Sequence, residues 1–158
     1  MADLHPHCVR INSILAGAGL PGRVRILDEP APTAVTAARQ LGVPVGAIVN
    51  SLVFSTAEQK PLLVLTSGAH RVDTAKMAAL VGTASLSRAT ADFVRAATGQ
   101  PIGGVAPVGH PAPIRTLLDT ALAEYSEIWA GGGIPHAMFP ISYDDLLALT
   151  SAQPVAVA

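Results

Sequence analysis

A polar pair interrupts an apolar run at residues 48–54, which spell IVNSLVF. Side chains alternate between the two faces of a strand, so Asn50 shares a face with large apolar neighbours while Ser51 points to the other face. Burying an amide without hydrogen-bond partners costs about 1–3 kcal/mol. We therefore predict that Asn50 is hydrogen-bonded, either by a ligand or, as an ordinary structural residue, by neighbouring parts of the protein.

A glycine- and proline-rich segment, GQPIGGVAPVGHP, occupies residues 99–111 and contains four glycines and three prolines. Glycine lets the backbone approach a ligand closely, and proline stiffens the loop around it. Successive exposed N–H groups in such a loop can hold an anion or a developing oxyanion. No lysine stands where a nucleotide-binding P-loop requires one, so that class of site is not predicted. An ordinary tight turn is the alternative interpretation.

A second glycine cluster, AGGGIPH, precedes a predicted strand at residues 130–136 and has the same two interpretations. The histidines are weaker candidates. The sequence HPHC at residues 5–8 supplies too few ligands for a tetrahedral zinc site, and we predict no metal. His70, His110 and His136 each lie near a glycine or a turn, where a histidine usually has a structural role. His110 ends the glycine-rich segment and is therefore the best functional candidate among them.

The composition predicts a single domain over residues 1–158, long enough to bury a core without disulfides. We find no apolar run of about 18 residues that would span a membrane. The first ten residues lack the pattern of a signal peptide. One cysteine is typical of a reducing compartment, so we expect a cytoplasmic protein. A net charge of −1 argues against sequence-independent nucleic-acid binding but leaves recognition of a nucleic-acid end open.

The elements that must position these residues alternate irregularly. We predict a first helix over residues 4–18, capped by Asp3 and burying Val9, Ile14 and Leu15. A strand is expected at residues 23–27. Thr33 then begins a helix that ends at Leu41 before Gly42. Two strands joined as a hairpin follow, at residues 46–55 and 61–67.

The second half continues the mixture. Asp73 is predicted to cap a helix ending at Gly82, and Ser87 to cap another ending at Gly99. Strands are expected at residues 113–119, 127–130 and 136–141, with a short helix between the first two. A capping box from Ser142 to Asp145 begins the last helix, which should bury Leu146, Leu147 and Leu149. Residues 151–158 are predicted to form a loose tail. This order indicates an α+β, or mixed α/β, fold.

The motifs together resemble the YbaK/EbsC-type family, which is related to the editing domain inserted in bacterial prolyl-tRNA synthetases. The resemblance rests on VGAIVNSLVF, KPLLVLTSGAHRVDTAKMAALVG, TGQPIGGVAPVGHP and the segment around IWAGGG and PHAMFPISYDDLLALT, which occur in this order. It extends from about Thr33 to Thr150. Its most specific element is the family's G-x-x-x-P loop, present here from Gly103 to Pro107.

The resemblance implies a curved mixed β-sheet surrounded by helices. It also implies a free-standing domain that deacylates mischarged aminoacyl-tRNA in trans, without a cofactor. The acceptor end of tRNA is the expected partner, and a synthetase is a further candidate partner; neither DNA nor a membrane is expected. Because the scissile ester is activated, an oriented water and a stabilised carbonyl oxygen suffice, and the substrate's own ribose hydroxyl is thought to help orient the water.

The resemblance also implies a set of site residues. Its catalytic members are Asn50, Gly103, Gly104 and Pro107. Its substrate-binding members are Ser51, Gly68, His70, Asp73, Val105, Ala106, Gly109, His110, Gly131 and His136. We expect the Asn50 strand and the 103–109 loop to enclose a small pocket that screens the amino-acid side chain by size.

One position departs from the family pattern. The family typically has lysine in a K-[ST]-L motif where this chain has Asn50, Ser51 and Leu52. Asparagine retains hydrogen-bonding groups but lacks the charge and the reach of lysine. Two hypotheses follow: an active deacylase in which Asn50 takes over part of the lysine's role, or a catalytically silent module that binds tRNA ends, a metabolite or a protein. An Asn50 amide facing an open pocket would favour ligand contact, and an amide sealed in the core would favour a structural role.

Overall fold

Eight strands in two sheets and five helices make up residues 4–158, the part of the chain that the computed structural model describes. The helices are α1 (Pro6–Gly17), α2 (Ala34–Leu41), α3 (Thr74–Val81), α4 (Ala91–Thr98) and α5 (Tyr143–Thr150). The strands are β1 (Arg25–Ile26), β2 (Val49–Thr56), β3 (Pro61–Ser67), β4 (Leu86–Arg88), β5 (Arg115–Asp119), β6 (Ile128–Gly131), β7 (Ala137–Ile141) and β8 (Gln153–Val155). The predicted mixed α/β class is confirmed.

The larger sheet has the strand order β4-β2-β3-β5-β8 and the smaller one the order β1-β7-β6. The predicted hairpin is present, because β2 and β3 pair antiparallel from Val49–Ser67 to Ser55–Pro61. β5 then lies parallel to β3, and β8 lies parallel to β5. A single bridge between Ile48 and Trp129 links the two sheets.

Helices α2 and α3 begin and end where their local sequences predict. Thr33 caps α2 by accepting a hydrogen bond from the Thr36 N–H, and Asp73 caps α3 in the same way. Gly42 and Gly82 end these helices with φ of 69° and 78°, a left-handed conformation that residues with a Cβ rarely adopt.

Helix α1 differs from its prediction. Asp3, the expected cap, lies outside the described residues, and His5 accepts a hydrogen bond from the His7 N–H at the start of the helix. Val9 is 49% exposed rather than buried. The buried face instead follows helical spacing through Cys8, Ile11 and Leu15.

Helix α4 also begins later than predicted. Ser87, the expected cap, lies in β4, which pairs with the end of β2. The cap is Thr90, whose Oγ1 accepts a hydrogen bond from the Phe93 N–H. A serine can cap a helix, but here the open edge of β2 recruits residues 86–88 as a strand.

The chain beyond α5 is part of the sheet, which corrects the expectation of a loose tail. β8 pairs with β5 from Leu117–Gln153 to Asp119–Val155. Val157 is fully buried, and its carbonyl accepts a hydrogen bond from the Asp73 N–H at 2.7 Å. This end of the chain therefore closes the larger sheet and fixes the start of α3.

The remaining predictions hold with small shifts. β2 starts at Val49 because Val45–Ala47 forms a 3-10 turn, and the short helix after β5 is the 3-10 turn Thr120–Glu124. Ser142 caps α5, which buries Leu146 and half-buries Leu147 and Leu149. Among the helices of residues 4–158, none is long and apolar enough to cross a membrane.

Candidate functional site

A cavity of about 600 Å³ opens beside β2, next to Asn50. It lies where the larger sheet is interrupted. β2 has β3 along one edge, but its other edge pairs with β4 only from Phe54 to Thr56. Towards the start of β2, strand β6 lies close by, and the bridge on this edge joins Ile48, just before β2, to Trp129. In the described chain, residues 49–52 thus have no hydrogen-bonded strand on that edge. The cavity lies along this unpaired stretch of the β2 edge.

The lining combines segments that are distant in sequence. It comprises residues 31–34 and 37, residues 48–52, residues 102–105, Gly131, residues 134–135 and 137–138, and the two arginines Arg71 and Arg88. The strand carrying Asn50 and the glycine-rich loop therefore face one hollow. Of the predicted site residues, the lining includes Asn50, Ser51, Gly103, Gly104, Val105 and Gly131.

Asn50 meets the condition that favours a ligand contact. Its side chain is half-buried in the cavity wall and forms no hydrogen bond with any of residues 4–158. The neighbouring Ser51 Oγ is inaccessible to solvent and also has no partner in that part of the chain. Since buried polar groups are normally satisfied, both positions offer hydrogen-bonding capacity that the folded protein does not use.

The glycine-rich loop is held against the second glycine cluster. The Gly104 carbonyl accepts a hydrogen bond from the Gly133 N–H at 2.9 Å, and the Gly104 N–H donates to the Pro101 carbonyl at 3.2 Å. A Cβ on Gly104 would overlap the Ile134 backbone, and a Cβ on Gly131 would overlap the Val105 carbonyl. The two glycine clusters identified in the sequence therefore owe their composition to this close backbone approach.

Along residues 103–106 of the loop, N–H groups without and with an acceptor alternate. Gly104 and Ala106 both donate to groups of the protein, the second to the Gln100 Oε1 at 2.6 Å. Gly103 and Val105 line the cavity, and their N–H groups have no acceptor within residues 4–158. Unpaired backbone donors beside a cavity can bind an oxyanion.

Two arginines make the cavity mouth positive. Arg71 and Arg88 are exposed, form no ion pair among the described residues, and share the lining with no acidic side chain. The Arg88 guanidinium lies 5.8 Å from the centre of the Phe54 ring, which supports it from below. Arginine presents several donors in a planar fork that suits phosphate.

Another part of the cavity lining is apolar. Ala34, Ala37, Ile48 and Met138 line the cavity and belong to the cluster that also contains Leu27 and Trp129. Two of these lining side chains are small alanines of α2. This wall can contact a small apolar group.

Several predicted substrate-binding residues, and the predicted catalytic residue Pro107, lie outside this lining. The Asp73 carboxylate caps α3, and Gly68 packs against the Val45 carbonyl and Ala34. His136 uses its carbonyl to accept a hydrogen bond from the Leu27 N–H. Pro107, Gly109 and His110 instead border a separate cavity of about 450 Å³.

The His70 side chain contacts a buried carboxylate and does not line the cavity. Its Nδ1 lies 2.9 Å from the Oδ2 of Asp119, which is 1% exposed. The same oxygen accepts a hydrogen bond from the Ser67 N–H at 3.0 Å, and Oδ1 accepts one from Ala121. His70 therefore ties the turn after β3 to the end of β5.

The His110 side chain stabilises the loop by a hydrogen bond to the backbone of Ala106. His110 Nε2 lies 2.8 Å from the Ala106 carbonyl, to which the neutral imidazole donates a hydrogen bond. Burial lowers the pKa of His110 below its usual value, the nearby Arg10 charge adds to this effect, and the Ala106 bond opposes it. The lowered pKa favours the uncharged imidazole.

The arginines and the apolar wall from α2 were not among the predicted site residues. Arg71 and Arg88 stand in a turn and a short strand with no motif around them, and only the fold brings them to the cavity. The α2 wall had a usable signal: Ala34, Ala37 and Ala38 are a small-residue stripe at helical spacing that indicates close packing on one face.

Comparison with known proteins places these features in a family. Residues 28–149 match the family model of the aminoacyl-tRNA editing domain. A solved structure of a candidate trans-editing enzyme for prolyl-tRNA synthetase is 42% identical, with a TM-score of 0.89 and 97% of each chain covered.

Curated relatives are of two kinds. The proline–tRNA ligase of Nitratidesulfovibrio vulgaris is 34% identical over 105 residues, which are 65% of this chain and 18% of the ligase. The chain thus spans about a fifth of the length of such ligases. A candidate Cys-tRNA(Pro)/Cys-tRNA(Cys) deacylase, EbsC, of Enterococcus faecalis is 26% identical over 121 residues, which are 77% of this chain and 74% of that protein.

Proposed function

The chain belongs to the aminoacyl-tRNA editing domain family, and from this membership we propose that it is a hydrolase that deacylates mischarged aminoacyl-tRNA. The match over 97% of a trans-editing candidate supports action as a separate domain. The substrate is the ester between an amino acid and the terminal ribose of tRNA. An aminoacyl-tRNA synthetase that releases this tRNA is the partner we propose for it.

The single observation that carries the proposal is the shared cavity. Asn50, with an unused amide, and the N–H groups of Gly103 and Val105 border one hollow of about 600 Å³. An acylated ribose needs a polar contact near the ester and donors near its carbonyl oxygen. Both are present without any group that would act as a strong nucleophile.

The proposed reaction needs only water and preorganised donors. The water oxygen attacks the ester carbonyl carbon, and the Gly103 and Val105 N–H groups stabilise the negative charge that develops on the carbonyl oxygen. The ester C–O bond then breaks, and the ribose oxygen takes up a proton from the attacking water. The products are the free amino acid and the uncharged tRNA end. Asn50, as both donor and acceptor, orients the water or the amino group of the substrate.

The proposed placement of the tRNA follows the charges. The terminal phosphates lie near Arg71 and Arg88 at the cavity mouth, where these side chains replace the cation that lysine supplies in relatives. The amino-acid side chain then faces Ala34, Ala37 and Met138. This wall favours small side chains, although one methylene yields only about 10- to 200-fold discrimination.

Deacylation of a mischarged-tRNA panel tests the proposal. We expect release of amino acid from at least one of the alanine, serine, threonine and cysteine esters. Loss of the Asn50 amide in Asn50→Ala should slow hydrolysis about tenfold, the value of one hydrogen bond to the reacting groups. Asn12→Ala is the matched control, because Asn12 bonds the Val24 N–H away from the cavity. Silence of the wild type on every ester would refute the proposal.

A silent binding module is the second candidate, favoured by the replacement of lysine with Asn50. It predicts that the protein binds aminoacyl-tRNA ends without turnover, and that Asn50→Lys gains hydrolysis. A lysine variant that is as inert as the parent would remove lysine loss as the explanation. Wild-type turnover would exclude the silent module altogether.

A further inference from the structure

The buried side-chain amide of Gln100, near the start of the glycine-rich segment, contacts residues 106–108 of that segment. Gln100 is 3% exposed and follows the Gly99 residue that ends α4. Its backbone is anchored to that helix, since its N–H donates to the Thr98 Oγ1 at 3.1 Å and its carbonyl accepts from the same hydroxyl at 3.2 Å. Neither the G-x-x-x-P loop from Gly103 to Pro107 nor the cavity lining includes it.

The Gln100 side chain bonds the loop at two points. Oε1 accepts a hydrogen bond from the Ala106 N–H at 2.6 Å, and Nε2 donates to the Val108 carbonyl at 3.2 Å. His110 donates to the Ala106 carbonyl at 2.8 Å. Both peptide groups of Ala106 are therefore engaged by side chains outside the cavity, and residues 106–108 are fixed with respect to α4.

This attachment decides which loop donors face the substrate. Because Gln100 takes up the Ala106 N–H, that donor is withdrawn from the cavity, while the adjacent Val105 N–H stays without an acceptor among the described residues. At Gly104 itself, the hydrogen bonds with Gly133 and Pro101 fix the loop a second time. The backbone around Val105 is thus held at Gly104 on one side and at Ala106 on the other.

We propose that Gln100 is a positioning residue for the reaction: its side chain holds the Ala106–Val108 backbone so that the Gly103 and Val105 N–H groups point at the ester carbonyl oxygen. The inference rests on the proposed function. Gln100 touches no substrate in this scheme and acts only through the loop.

The test replaces Gln100 with methionine, which is similar in length and volume but bonds neither backbone group. We expect kcat to fall about tenfold or more, because misdirected oxyanion donors act on the transition state. KM for the mischarged tRNA should stay within about threefold, because the ground state makes little use of these donors. Val157→Ala, which removes buried apolar atoms just beyond β8, serves as a control for lost stability.

Amide hydrogen exchange of the 102–108 backbone, followed by NMR without substrate, is the second readout. Gln100→Met should speed exchange of the hydrogen-bonded Gly104 and Ala106 amides at least about tenfold while leaving β3 and β5 as in the wild type. Val157→Ala should not change exchange of these two amides. A Gln100→Met protein with unchanged kcat, or with a kcat loss equal to that of Val157→Ala, would overturn the inference. If the wild type hydrolysed no ester, the proposed function would fail. Unchanged amide exchange in Gln100→Met would separately refute the idea that the Gln100 side chain holds the loop.

Discussion

Individual residues in the glycine-rich loop have separable roles. Gly103 lies in the cavity lining and meets only the Pro135 side chain at 3.5 Å if a Cβ is added. Gly104 is pressed against the Ile134 backbone and uses both its N–H and its carbonyl within the protein. The first glycine is thus suited to expose a donor, whereas the second allows two loops to approach closely.

This difference predicts that two alanine substitutions lower the stability of the protein to different extents. Gly104→Ala should lower the free energy of unfolding by about 2–3 kcal/mol, since backbone at Ile134 must move. Gly103→Ala should change it by less than about 1 kcal/mol, because the contact with Pro135 is ordinary and φ is not in the left-handed region. Urea unfolding of both variants measures this directly. Equal losses would contradict the packing role assigned to Gly104.

His110 predicts a pH dependence of stability. Its folded-state pKa is lowered below 6.5, mainly by burial, so between that lowered value and 6.5 the unfolded chain binds more protons than the folded one. Its stabilising contribution is therefore complete above pH 6.5 and is lost as the pH falls through the folded-state pKa. Urea unfolding between pH 7.5 and 5 measures the effect.

His110→Gln is the matched variant for this measurement. Glutamine keeps a donor for the Ala106 carbonyl but does not titrate. The wild type should lose more stability than this variant on acidification. Parallel curves for the two proteins would show that His110 does not carry the dependence.

At the scale of elements, the last strand contributes more to the fold than its sequence predicts. β8 extends the larger sheet beyond β5, and the chain after it brings Val157 into the core beside Met77 and Leu117. The sequence of this segment, rich in small apolar residues, contains little to distinguish a strand from a loose end.

Substitution near this end tests how firmly it is attached. Val157→Asp should lower the free energy of unfolding by at least about 3 kcal/mol, because it places a carboxylate in a fully buried position. Ala158→Asp should have little effect, because Ala158 is exposed. Thermal unfolding distinguishes the two variants. A Val157→Asp protein as stable as Ala158→Asp would mean that the segment is detached in solution.

Elements with local signals were predicted, and those set by distant contacts were not. Thr33, Asp73, Gly42 and Gly82 define α2 and α3 through interactions within four residues, so the sequence alone sufficed. β4 and β8 exist because β2 and β5 offer them an edge, which is information that neither segment contains.

The same distinction applies to the site. Asn50 and the two glycine clusters were identifiable because a lone amide in an apolar strand and repeated glycines are locally unusual. The Asn50 strand and the 103–109 loop were expected to enclose one pocket, and residues of both line the cavity. The contribution of the second glycine cluster to the same cavity was not expected. Arg71, Arg88 and Gln100 could not be identified, since ordinary exposed arginines and one glutamine acquire meaning only from what the fold places beside them.

At the scale of the whole molecule, charge is nearly balanced, with a formal net value of −1. Long-range attraction to tRNA is therefore weak, and affinity depends on where the cations stand. Two unpaired arginines at one cavity mouth concentrate positive potential at the proposed binding site.

This arrangement predicts a local origin for the salt dependence of tRNA binding. Arg71→Gln and Arg88→Gln should each weaken binding and reduce the slope of log affinity against log salt by about 0.7, the value for one single-strand phosphate. Arg95→Gln, on the exposed surface of α4, is the charge-matched control and should leave the slope unchanged. Filter binding across a salt series measures it. Equal slopes for all three variants would place the phosphates elsewhere.

The gap along β2 has a further consequence for how this protein behaves in a crowded solution. A sheet edge with unsatisfied backbone groups normally invites strands from other molecules and so promotes self-association. Here the open stretch, residues 49–52, is bounded by β4 on one side and by the Ile48–Trp129 bridge on the other. It is shorter than the usual strand of about five or six residues. A strand from another molecule could pair here over only four residues, so the opening admits a small ligand while offering a short template for association.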